Sequence, residues 1–118
     1  MKSHKDLNVW KAGVDLAERI YQLTGGYPKH EQFGITSQMC RSAVSIPSNI
    51  AEGAARQSKK EFVQYLHYSL GSAAELETQL EVSRRVGLCD GDKFRALDAA
   101  LTEVRHMLRG LIRSLRTT

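Results

Sequence analysis

From Ser58 onward, apolar or small side chains recur at alternating intervals of four and three residues, a spacing that leaves helical packing as the way to bury them. Phe62, Leu66, Ser69, Ala73, Leu76 and Leu80 form one such seam. Phe94, Leu97, Leu101, Val104, Leu108, Leu111 and Leu115 form a second, and Met39, Ala43, Ile46 and Ile50 a shorter one. A helix with a single apolar stripe needs other helices to cover it. No segment alternates polar and apolar residues as a half-buried strand would. Small residues at Ala43, Ser69 and Ala73 allow neighbouring helices to approach closely.

Local signals divide the chain into four helices, at about residues 6–24, 35–55, 59–86 and 91–116. Gly25-Gly26-Tyr27-Pro28 ends the first, and Gly34 precedes the second. Ser58 and Glu61 have the spacing of a capping box that opens the third. Gly87 closes the third, and Asp90-Gly91-Asp92 places acids at the positive end of the fourth. Pro47 falls inside helix two, where it removes a backbone donor and frees the carbonyl of Ala43, so a kink is expected. Ser48 and Asn49 are placed to satisfy the disturbed backbone. With 118 residues there is room for one core. The expected architecture is all-α, an antiparallel up-down four-helix bundle spanning residues 1–118 as a single domain.

Helix one is apolar around too much of its circumference. Leu7, Trp10, Val14, Ala17 and Tyr21 make one stripe; Val9, Leu16, Ile20 and Leu23 make another, about 120° away at 100° per residue. On helix three, Tyr65, Tyr68, Val82 and Val86 also lie off the seam. Surplus apolar surface on so small a protein predicts self-association through Val9, Leu16, Ile20, Leu23, Tyr65 and Tyr68. The competing reading is a wide core with a few exposed side chains.

Enzyme chemistry finds little support. Glu103 and His106 have the Glu-x-x-His spacing of a di-metal carboxylate bundle, but that site needs two such pairs and two further glutamates pointing inward. Both residues here lie away from the seam of helix four. Cys40 sits at the edge of an apolar face, and Cys89 in a turn with no His nearby in sequence; each reads as an incidental thiol. No phosphate-binding loop, dinucleotide fingerprint or nucleophile elbow is present. No catalytic residue, metal or cofactor is expected. The N-terminus lacks an apolar leader and no stretch reaches membrane-spanning length, so the expected location is the cytoplasm, with no membrane role.

The net charge of +4 is concentrated late in the chain. Residues 95–118 carry Arg95, Arg105, Arg109, Arg113 and Arg116 against Asp98 and Glu103. With His106, the arginines fall within roughly a 100° arc away from the seam. Arg56, Lys59 and Lys60 form a second cluster between helices two and three. Arginine suits phosphate oxygens because its planar fork donates in pairs. The alternative is a solvated helix face whose late arginines offset the helix dipole.

The segment Ser45-Ile46-Pro47-Ser48-Asn49-Ile50-Ala51-Glu52-Gly53 resembles the motif of the bacterial four-helix-bundle proteins encoded in 23S rRNA intervening sequences. The match extends through Ser58-Lys59-Lys60-Glu61-Phe62, Gly71-Ser72 and Ala74-Glu75-Leu76-Glu77-Thr78-Gln79-Leu80. Trp10, Ile20-Tyr21, Pro28, Gly34 and Thr36-Ser37-Gln38 also fit. Helix four matches only as an amphipathic helix. The resemblance implies a bundle assembling as a ring, a homopentamer, without established enzymatic activity. It also implies kinship with the accessory variability determinant of diversity-generating retroelements, a basic pentamer that associates with a reverse transcriptase and nucleic acid. Two functions follow as expectations. One is an oligomeric scaffold that binds RNA or DNA through Arg105, Arg109, Arg113, Arg116, Arg56, Lys59 and Lys60. The other is an assembly factor whose basic face meets an acidic protein client. Pro47, Asn49, Glu52 and Gly53 are read as structural, pinning helix two.

Overall fold

Single residues set where the helices begin and end. Ser58 Oγ accepts from the Glu61 amide at 3.1 Å and opens the third helix. Its own hydroxyl donates to the Glu61 carboxylate at 3.0 Å. The expected capping box is thus altered, because Glu61 takes the Ser58 side chain as its donor. Asp90 caps the fourth helix by accepting from the Lys93 amide at 2.9 Å. Gly87 ends the third with a φ of 82°, a left-handed conformation that favours glycine.

The computed structural model describes residues 3–117. Its helices are α1 (Asn8–Thr24), α2 (Ile35–Ala54), α3 (Lys59–Arg85) and α4 (Gly91–Arg116), with 3-10 turns at His4–Asp6 and Lys29–Glu31. No strand occurs among the described residues. Each helix packs on the next, most extensively α2 on α3, and α1 closes the bundle against α4. That is an up-down bundle, 46 × 23 × 20 Å.

The core follows the seams of α2 and α3: Met39, Ala43, Ile46, Ile50, Leu66 and Leu76 are fully buried. In α4 the core stripe shifts near its end, where Ile112 is buried and Leu111 and Leu115 are only half-buried. One close approach tightens the bundle. A Cβ on Gly53 would stand 2.7 Å from Tyr65 Cβ and 3.0 Å from Phe62 Cδ1, so α2 and α3 meet there because residue 53 has no side chain. Gly13 faces Pro47 with more room, since a Cβ there would stand 3.4 Å from the proline Cβ, an ordinary van der Waals contact.

Helix α2 continues through Pro47 as one 20-residue helix. Asn49 donates from Nδ2 to the Ser45 carbonyl at 2.9 Å and to Ser45 Oγ at 3.0 Å, and not to the Ala43 carbonyl that Pro47 frees. Ser48 is exposed instead. From α3, Ser69 Oγ donates to the Ile46 carbonyl at 2.9 Å.

The expected association stripe on α1 is corrected. Val9, Leu16 and Ile20 are 5%, 2% and 0% exposed inside their own bundle, and Leu23 is half-buried. Two stripes competed for the core, and the neighbours α2 and α4 cover this one. The other stripe is divided: Ala17 is buried, Leu7 and Trp10 are half-buried against the core, and Val14 and Tyr21 are exposed. Tyr65 is half-buried against Gly53, whereas Tyr68 is exposed.

Candidate nucleic-acid interface

Antiparallel packing of α3 and α4 sets the first turn of one helix beside the last turn of the other. Two basic clusters separated by about half the sequence therefore share one end of the molecule. Lys59, Lys60 and Val63 line an open depression of about 370 Å³ together with Leu115 and Arg116. The Arg116 guanidinium, which can only donate, lies 3.4 Å from His67 Nε2 on α3. Arg109, Arg113 and Arg116 are exposed at intervals of four and three residues, along one face of α4. The positive end of the α3 dipole abuts the negative end of the α4 dipole, so the two largely offset each other. The local potential is then set by the side chains, and these are mostly cationic.

Arg56 stands at the α2–α3 corner of the same end. Its guanidinium pairs with Glu52 at 3.1 Å, donates to the Tyr65 hydroxyl, and lies 4.8 Å from the centroid of that ring. Glu52 thus partly neutralises it. At the opposite end of the bundle three arginines are matched locally, while Lys29 and Lys93 are exposed there without an ion pair among the described residues. Glu81 takes Arg84 and Arg85, and Asp92 takes Arg95. Hydrogen bonding from Arg84 holds the Glu81 carboxyl below the usual carboxylate range.

Arg105 departs from the expected row. It reaches across to α3 and grips Glu77 with both terminal nitrogens, at 2.6 and 3.2 Å, and its side chain is 20% exposed. It is a clamp between helices and is poorly placed to meet a phosphate. Helical spacing places Arg105 on α4 but does not reveal which α3 residue it faces.

Glu103 and His106 are both exposed. No group of three or more His, Cys, Asp or Glu among the described residues could hold a metal ion. Cys89 is buried, and burial pushes its thiol up, away from the thiolate that a nucleophile requires. Half-buried Cys40 lies 3.4 Å from Thr24 Oγ1. No helix of the described residues is long and apolar enough to cross a membrane.

A second surface lies between α1 and α2. Trp10, Val14 and Ala17 of α1, with Val44, Pro47 and Ala51 of α2, line an open apolar groove of about 370 Å³. A signal for it was available: Val44, Pro47 and Ala51 recur at helical spacing beside the Met39 seam.

A family model described as 23S rRNA-intervening sequence protein matches residues 5–110. The match includes Lys59, Lys60 and Arg109 and stops before Arg113 and Arg116. Among solved structures, one from Bacteroides thetaiotaomicron VPI-5482 is described as a protein of unknown function from the S23 ribosomal protein family. It is similar with a TM-score of 0.80 and 27% identity, over 88% of this chain and 97% of that one. No curated protein matches.

Proposed function

This chain belongs to the 23S rRNA-intervening sequence protein family, and from that premise we propose that it is a non-enzymatic cytoplasmic scaffold, a homo-oligomer that binds RNA or DNA. The observation that carries the binding reading is the meeting of Lys59 and Lys60 with Arg116 at one end of the bundle. Arg109 and Arg113 extend that patch along α4, and no carboxylate pairs with them among the described residues. Such a patch suits the phosphate backbone, which is read by charge and not by sequence. Assembly, a pentamer by the family resemblance, is supported by the outward groove between α1 and α2. That groove replaces the buried Val9, Leu16 and Ile20 stripe as the surface through which subunits would join.

The test is duplex and single-strand binding across a salt series. Four phosphate contacts per subunit give a slope of about −3.6 in log affinity against log salt. Replacing Lys60, Arg109, Arg113 and Arg116 with Ser should abolish binding and leave assembly intact. Arg105 stays untouched, since its loss would loosen α3 from α4. Unchanged nucleic-acid binding in the quadruple variant would eliminate this surface. Loss of an acidic protein client, with no nucleic acid bound by the wild type, would favour the assembly-factor reading instead.

A further inference from the structure

On the flank shared by α2 and α3, well away from the basic end, lies a groove of about 650 Å³ with polar walls. Serines take places in it where bundle helices ordinarily present apolar side chains. Ser45 Oγ accepts from Asn49 Nδ2 at 3.0 Å and from Ser72 Oγ at 2.8 Å. Both its lone pairs are then used, and its own proton has no acceptor among the described residues. Ser42 lines the groove, with the residue 6% exposed and its hydroxyl left open to the groove. On the α3 side, Gln79 Oε1 is buried without a donor. A buried acceptor such as Gln79 Oε1 is costly unless a donor meets it.

The remaining lining residues narrow what that something is. Arg41 is exposed on the groove wall with no carboxylate in ion-pair range among the described residues. Together with the Ser42 and Ser45 hydroxyls it forms a set of donors suited to an oxyanion, and the guanidinium fork fits phosphate. Phe33, in the connection before α2, is 91% exposed at the mouth. A ring so placed offers a stacking face to a planar group. Gln79 Oε1 and the Glu75 carboxylate are acceptors and call for N–H or O–H groups on the same ligand.

We propose that this groove binds a nucleoside phosphate. The phosphate lies on Arg41, Ser42 and Ser45, the base lies against Phe33, and Gln79 and Glu75 accept from the base and ribose. Inorganic phosphate would leave Phe33 and Gln79 unused, and an uncharged nucleoside would leave Arg41 unused. A free nucleotide and an unpaired residue of a strand share this chemistry.

The experiment is calorimetric titration of the full chain with AMP, UMP, adenosine, inorganic phosphate and an unstructured oligonucleotide. Both mononucleotides should bind more tightly than adenosine or phosphate. Arg41→Ser should weaken nucleotide binding by about tenfold, the scale of one charge-assisted hydrogen bond. Phe33→Ala should weaken nucleotide binding while leaving phosphate binding unchanged. Arg41 and Phe33 are surface positions, and circular dichroism checks that both variants keep their helix content. An oligonucleotide bound more tightly than AMP, with the same Arg41 dependence, identifies a strand as the source. Equal affinity identifies a free nucleotide; either outcome supports the site. No heat with millimolar nucleotide, phosphate binding as tight as AMP, or an unaffected Arg41→Ser variant would overturn it. The groove lies apart from Lys60, Arg109, Arg113 and Arg116, so the quadruple variant should still bind mononucleotide. Failure here is therefore distinct from failure of the basic-end reading.

Discussion

At Gly53 a single missing methyl group sets the distance between two helices. Because an added Cβ would fall 2.7 Å from Tyr65 Cβ, Gly53→Ala must push α3 away or distort its backbone. The expected cost is about 1–3 kcal/mol in urea unfolding, despite alanine's better helix propensity. Ser69→Ala removes the hydroxyl that reaches the Ile46 carbonyl and should cost about 1 kcal/mol. At Cys89 the effect depends on pH. Its thiol is raised by burial first, and by the Asp90 charge next. The native state therefore keeps its proton to higher pH than the unfolded chain. Its contribution is fully present below the ordinary thiol range and is lost as pH rises past it. Unfolding midpoints compared at about pH 7 and about pH 10 should show a drop that shrinks in Cys89→Ala.

Among elements, the α3–α4 pair is held by apolar seams and by the Glu77–Arg105 clamp. An exposed pair contributes roughly 0.2–1 kcal/mol. This one is bidentate and half-sheltered, so a double-mutant cycle with Glu77→Gln and Arg105→Met should give a coupling of about 1 kcal/mol that declines with salt. Coupling within error of zero would return Arg105 to the pool of free surface cations. The elements also show what could be read beforehand. The α3 seam was legible because its apolar residues occupy one face, leaving a single way to orient the helix. Helix α1 was not, since two stripes about 120° apart are equally greasy and only the neighbours choose between them. Gly53 stood out in its motif, but its reason lies 9 and 12 residues downstream, at Phe62 and Tyr65, across a turn. The end-to-end meeting of Lys59, Lys60 and Arg116 follows from topology once the up-down order is known, and the Arg105 clamp depends on register that no single helix reveals.

At the scale of the whole molecule, the prediction concerns assembly. Light scattering on the purified protein should report a mass that is a multiple of 13.2 kDa. Placing charges in the outward groove with Val14→Asp and Val44→Asp should return it to one subunit while helix content is kept. A wild-type protein that stays at one subunit at micromolar concentration would remove the assembly reading and leave the basic end as a monomer's feature.

The uneven matching of charge along the bundle has a geometric sequel. Arg84, Arg85 and Arg95 are paired with carboxylates at one end, whereas Arg109 and Arg113 toward the other have no ion pair among the described residues, which skews the charge along the subunit. In a closed cyclic assembly every copy points the same way relative to the symmetry axis. With long axes standing along that axis, these skews would add, and the particle would have two unlike faces, one more attractive to a polyanion than the other. Such a disc would favour one side when it lands on a strand, leaving the other side more open to a different partner.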